Sequence, residues 1–233
     1  MFDLSPTDID AIALSLKVGA WSVVVSLPIA FGLAYVLARV EFILKPIISA
    51  VVLMPLVLPP VVTGFLLLLA FGKTGPVGQL LDQWFGITVA FKWTGAVIAA
   101  AVMGLPLMVM GMRISIESVD RRLEMAARTL GAGPWRTFFT VTLPLSVPGI
   151  LAGSILCFAR SFGEFGATIT FVSNIPGETR TLPIAIYALL QTPSGDSAAL
   201  ELSLVAIAVS LVAIIGAELF NRRLPRATGR DDT

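Results

Sequence analysis

Hydrophobic residues in this chain come in long blocks separated by short polar steps. Apolar runs cover about residues 12–38, 47–71, 93–112, 145–171 and 199–220. Each reaches the ~20 residues that a helix needs to cross the ~30 Å hydrocarbon layer of a bilayer. A further apolar piece, LPIAIYALL at 182–190, is too short to span. The pattern predicts an all-α integral membrane protein with about five transmembrane helices, forming one domain over residues 1–233. Lys17, near the start of the first run, is expected to snorkel to the interface. Residues 113–144 stand apart as a long polar, periodic segment between the third and fourth runs.

Composition agrees with this reading. The chain is 56% hydrophobic and 13% charged, whereas soluble domains are roughly 25% charged. A net charge of +1 gives no reason to expect nucleic acid as a partner, but the distribution of charge is informative. Arg39 and Lys45 follow the first run. Arg113, Arg121, Arg122, Arg128 and Arg136 follow the third, and Arg222, Arg223, Arg226 and Arg230 follow the fifth. With alternating spans these groups share one side, which the positive-inside rule assigns to the cytoplasm. The acidic start MFDLSPTDID, the loop with Lys73 and Lys92, and NIPGETR then lie outside. The expected N-terminus is outside and the C-terminus cytoplasmic. The start lacks a basic region and a cleavage site, so the mature chain is expected to keep it.

Histidine is absent and Cys157 is the one cysteine. That removes His-based acid–base chemistry, His–metal sites and any internal disulfide. Gly72-Lys73-Thr74 has the look of a P-loop, but Leu67 stands where the leading glycine is required. It reads as an ordinary loop.

The polar segment favours a helix from Arg121 to Leu130. Leu123, Ala126, Ala127 and Leu130 share one face, and Glu124–Arg128 is a favourable i,i+4 pair. Gly131 and Gly133 suit a helix end and turn, and Pro134 suits the first position of a second helix. Leu143-Pro144 should end that helix and start the next span. A surface helix on lipid headgroups is one reading. Small residues such as Ala126 and Ala127 favour a second, close docking against another protein.

Several residues within the runs carry other possibilities. Pro55, Pro59 and Pro60 free backbone carbonyls in the second run, ahead of Thr63 and Gly64. They mark either a packing kink or a bend that shapes a pathway. Arg160 and Glu164 lie at membrane depth in the fourth run, where each charge costs roughly 2.5–3.5 kcal/mol. Their spacing allows a mutual pair, or Arg160, Ser161 and Thr168 line an anion path. Ser161, Glu164 and Thr168 share a helical face. Gly149 and Gly153 permit close helix approach, within the protomer or between copies.

The segment 124–144 resembles the EAA loop of ATP-binding-cassette importer permeases. Ala126, Ala127, Gly131, Val141, Leu143 and Pro144 stand in motif positions. Met125 occupies the glutamate position, and Glu124 lies one residue earlier. The stretches LPLVLPPVV, ARTLGAGPWRTFFTVTLPLSVPGI and FARSFGEFGATITFVSNIPGETRTLP extend the resemblance to the molybdate branch, with sulfate permeases as the nearest alternative. The resemblance implies a type I importer bundle in a bacterial inner membrane, which makes the outer side, with the N-terminus, periplasmic. It implies a homodimer with two ATPase subunits docked at residues 113–144, so ATP and Mg belong to those subunits and this chain binds no cofactor. A periplasmic oxyanion-binding protein would deliver substrate, with Glu178 and Arg180 as candidate docking contacts. A channel or secondary transporter independent of ATP, with Arg160 and Glu164 as its coupling pair, is the alternative class.

Overall fold

The computed structural model describes residues 4–223, and side-chain surroundings as far as residue 216. The expected cytoplasmic cluster Arg222, Arg223, Arg226 and Arg230 lies outside the described side chains. The described chain is helical: α1 Pro6–Arg39, α2 Lys45–Val57, α3 Pro60–Phe71, α4 Pro76–Phe85, α5 Trp93–Ser118, α6 Arg121–Thr129, α7 Pro134–Thr137, α8 Leu143–Phe162, α9 Gly166–Val172, α10 Leu182–Leu190 and α11 Asp196–Arg223. Four helical stretches among the described residues are long and apolar enough to cross a membrane, and α2 with α3 passes the same test only as a pair bent at Leu58-Pro59, the geometry of a broken span or a re-entrant loop.

Local sequence explains where α1 begins. Ser5 caps it in a capping box with Asp8, and Pro6 takes the first helical position. At 34 residues it is about 51 Å long, so its ends reach past the hydrocarbon layer. One stripe of α1 is made of small residues, including Ser15, Gly19, Ser22, Ser26, Ala30 and Ala34, all buried. This stripe lets α5 and α8 approach closely.

The centre of the bundle is α5. Met103, Met108, Met112 and Ile116 are all but completely enclosed. Against it runs α8, whose Gly149 and Gly153 face Gly111, Met108 and Ser115 of α5. The glycine pair therefore serves packing within the protomer.

Three expected boundaries move. The run 47–71 breaks at Leu58-Pro59, where the chain turns through 112° between α2 and α3. Pro59 and Pro60 offer no N–H to continue the first helix. The run 145–171 is also two helices, because the chain leaves helical geometry from Gly163 to Phe165. Finally, Leu143-Pro144 ends nothing. Helix continues from Pro134 to Phe162 through a π-turn at Phe138–Thr142. The wider turn relieves the clash that the Pro144 ring would make with the carbonyl of Thr140. The fourth span thus begins inside the segment expected to be a loop.

A Cβ on Gly149 would collide with Ser115. Gly149→Val should destabilise the protomer by about 1–3 kcal/mol, the usual cost of overpacking. Thermal unfolding of the purified protein in detergent measures this as a lowered midpoint. An unchanged midpoint with an altered oligomeric state would point to a role between copies instead.

Candidate functional site: a docking segment and two broken helices

Asp120 caps α6, its carboxylate accepting the Arg122 N–H at 2.8 Å. The helix closes on Leu130. The Gly131 N–H then donates to Arg128 O and the Ala132 N–H to Ala127 O, both at 3.0 Å. This is a Schellman ending, and it requires the left-handed conformation that Gly131 adopts at φ +87°. Pro134 opens α7 as expected. The helix–turn–helix turns its apolar side chains outward: Leu130 is 89% and Trp135 76% exposed, with Leu123, Met125 and Phe139 also open. Ala126 is exposed beside them and Ala127 half-buried. Clustered exposed aromatics and leucines rimmed by arginines are the composition of a protein-docking surface.

Glu124 does something the sequence pattern did not suggest. It is not paired with Arg128. Its carboxylate points into the protein, with Oε1 3.0 Å from Nη2 of Arg39 at the end of α1. The Thr142 hydroxyl donates to the same oxygen at 2.7 Å. The Arg39 Nη2 also donates to the carbonyl of Val119, the joint between α5 and α6, at 3.1 Å. Arg39 and Thr142 were missed as site residues. The only available signal was a basic residue ending a span, which reads equally well as a positive-inside marker. On the exposed surface nearby, the Lys45 ammonium hydrogen-bonds Glu41 and holds that carboxyl below its ordinary pKa.

The two helix breaks meet each other. A Cβ on Gly166 would lie 2.7 Å from Cβ of Pro60, and one on Gly64 would lie 2.5 Å from the Ala167 carbonyl. Thus α3 and α9 pack nearly backbone to backbone. Arg160 and Glu164 form the expected ion pair, with Glu164 2% and Arg160 28% exposed. Glu164 has a second task. Its Oε1 accepts the Ala167 N–H at 2.9 Å, satisfying the first turn of α9. Ser161 donates to the Ala100 carbonyl at 3.1 Å, and Thr168 is buried. Thr63 is buried with its hydroxyl unpartnered. Of the candidate path residues, Pro60 joins the α3–α9 contact, Pro59 caps α3 at the α2–α3 break and Thr63 lies buried one turn further along α3. Arg160 and Glu164 sit at the α8–α9 break, and Ser161 is turned toward α5.

At the opposite end of α5, Glu178 accepts the Trp93 N–H at 3.3 Å, which caps that helix. Nε of Arg180 donates to Asn174 at 2.7 Å. Glu178 therefore ties its loop to α5, and Arg180 holds the loop together. Lys17 places its ammonium 3.6 Å over the Trp93 ring.

Residues 26–226 match the family of binding-protein-dependent transport system inner membrane components. The chain belongs to this family. It is accordingly a multi-pass inner-membrane transport subunit and not an enzyme. It is 53% identical to the molybdenum transport system permease protein ModB of Escherichia coli strain K12 over 227 residues, covering 97% of this chain and 99% of that one. The ModB protein of Haemophilus influenzae is 52% identical over 223 residues, with 96% and 97% covered. Among solved structures, a bacterial ABC transporter for import of the acidic polysaccharide alginate superimposes with a TM-score of 0.75 at 20% identity, covering 96% of this chain and 82% of that one. The MetNI methionine ABC transporter in an inward-facing form gives 0.68 at 15%, with 94% of each chain covered. These structural likenesses establish the type I importer permease fold.

The Glu164 carboxylate satisfies Arg160 and the α9 backbone together. Glu164→Ala should lower stability by about 1.5–3 kcal/mol, the range for hydrogen bonds to charged groups. Glu164→Gln should lose less, because its amide oxygen still accepts from Ala167. Unfolding midpoints of the two variants in detergent check this order.

Proposed function

We propose that this chain is the membrane-spanning subunit of an ATP-driven importer that carries molybdate, and its close mimic tungstate, from periplasm to cytoplasm. The observation that carries the reading is the 53% identity over nearly the whole length to a molybdenum transport permease. Identity at that level over 227 residues covers the docking segment and both helix breaks.

The working unit is two copies of this chain with two ATPase subunits, which hold ATP and Mg, and a periplasmic oxyanion-binding protein. The N-terminus is periplasmic, and α6 with the turn into α7 faces the cytoplasm. The ATPase subunits seat on the exposed face of Leu123, Ala126, Leu130, Trp135 and Phe139. Glu178 and Arg180 shape the outer loop that meets the binding protein. The chain makes and breaks no covalent bonds. It alternates between inward-open and outward-open states, and ATP binding biases which is populated. In the path itself, Arg160 offers a partly open guanidinium to a tetrahedral dianion. Glu164 is turned back to the α9 backbone, which reduces its repulsion of the substrate.

Vesicles holding the full complex should accumulate molybdate only with ATP and binding protein, with tungstate competing strongly and sulfate weakly. Uptake that ignores ATP would make the chain a channel or secondary transporter, and sulfate outcompeting molybdate would reassign the substrate. Gly131→Pro removes the Arg128 hydrogen bond and forbids φ +87°. It should abolish ATP-driven uptake while membrane insertion, read by protease protection, stays intact.

A further inference from the structure

The helix α6 is joined to α5 by only Val119 and Asp120. Nothing in so short a link fixes the angle of α6 relative to the spans. Besides its packing on the π-turn and α7, α6 is held by the side chain of Arg39. Its side chain is 9% exposed, and the guanidinium holds both the link, through Val119 O, and the helix, through Glu124. Glu124 in turn accepts from Thr142, at the end of the π-turn that leads into α8. One half-buried arginine therefore ties the end of α1 to the α5–α6 link and to α6, and Glu124 extends the tie to the start of α8. Just above it, Leu37 and Ala38 of α1 pack into the same apolar cluster as Met112 and Ile116 of α5.

We propose that Arg39 is the positioning residue that carries displacement of the docking segment into the spans, with Glu124 as its handle on α6. The inference rests on the importer reading above. A planar guanidinium suits this task because it serves two acceptors at fixed angles, which an ammonium does not. Its Nε is buried without a partner. A small rotation of α6 would let the second carboxylate oxygen of Glu124 take that donor, turning a single contact into a bidentate one. The link thus tightens under load instead of parting. Glu124 stands one residue ahead of the position the motif leads one to expect. Its carboxylate is directed at Arg39, and the outward face is left to Ala126, Met125 and Leu130.

The test uses the complete complex in vesicles and reads ATP hydrolysed per molybdate imported. Arg39→Gln and Glu124→Gln should each raise that ratio at least about fivefold, the lower end of ordinary coupling between sites, with the ATPase still copurifying. The double variant should be no worse than either single one, because the two act through each other. Arg39→Lys should recover part of the loss. Thr142→Val, which removes one hydroxyl and keeps the shape, should shift the ratio in the same direction by a smaller factor and guards against a misfolded arginine variant. An unchanged ratio in all of these overturns the proposal. So does loss of the copurifying ATPase in Glu124→Gln, which would make Glu124 a docking contact. Wild-type vesicles that import molybdate without ATP would instead overturn the importer reading.

Discussion

A bilayer offers no hydrogen-bond partners, so the backbone polar groups that enter it must be satisfied by the protein. That constraint organises this structure. The chain departs from helical geometry twice within its apolar runs, at Leu58-Pro59 and at 163–165. Both departures are covered by each other, through Pro60 on Gly166 and Gly64 on Ala167. The loose N–H of Ala167 at the start of α9 is met by Glu164, whose charge is in turn balanced by Arg160. A proline in the fourth span is absorbed by a π-turn rather than by a break. Each irregularity has a specific, local answer.

The same constraint divides the molecule into parts of different stiffness. A central unit of α1, α5 and α8 packs through small residues over a methionine-rich core. Beside it, the half-helices α3 and α9 touch each other across two breaks. Bent and broken spans are where a bundle can change shape without disrupting its packed centre. The docking segment is wired to the stiff unit by Arg39, Glu124 and Thr142. In the proposed importer, force entering at α6 reaches the spans through the polar contact of Arg39, Glu124 and Thr142.

Much of this was legible in the sequence. Hydropathy blocks marked the spans, and glycine and proline spacing marked the turn at Gly131 and the start of α7 at Pro134. The i,i+4 spacing of Arg160 and Glu164 foretold their pair. What the sequence hid was mostly long-range. Glu124 has Arg128 one turn away, and only the folded bundle brings Arg39 close enough to take its place. Gly163 and Phe165 look like ordinary members of an apolar run, and their break depends on packing against α3. Leu143-Pro144 reads as a stop because helix rules for proline assume α geometry, and a π-turn suspends them.

The central claim is that the docking segment moves as one piece with span one. Pulsed-EPR distances test it most directly. Spin labels at Val36→Cys on α1 and Arg128→Cys on α6, in a Cys157→Ser chain diluted with unlabelled copies, report the distance within one protomer. Comparing the nucleotide-free complex with one trapped by ATP and vanadate, the account predicts an unchanged Val36–Arg128 distance while the Arg128–Arg128 distance between fully labelled copies shortens. A Val36–Arg128 distance that changes as much as the distance between copies would contradict it.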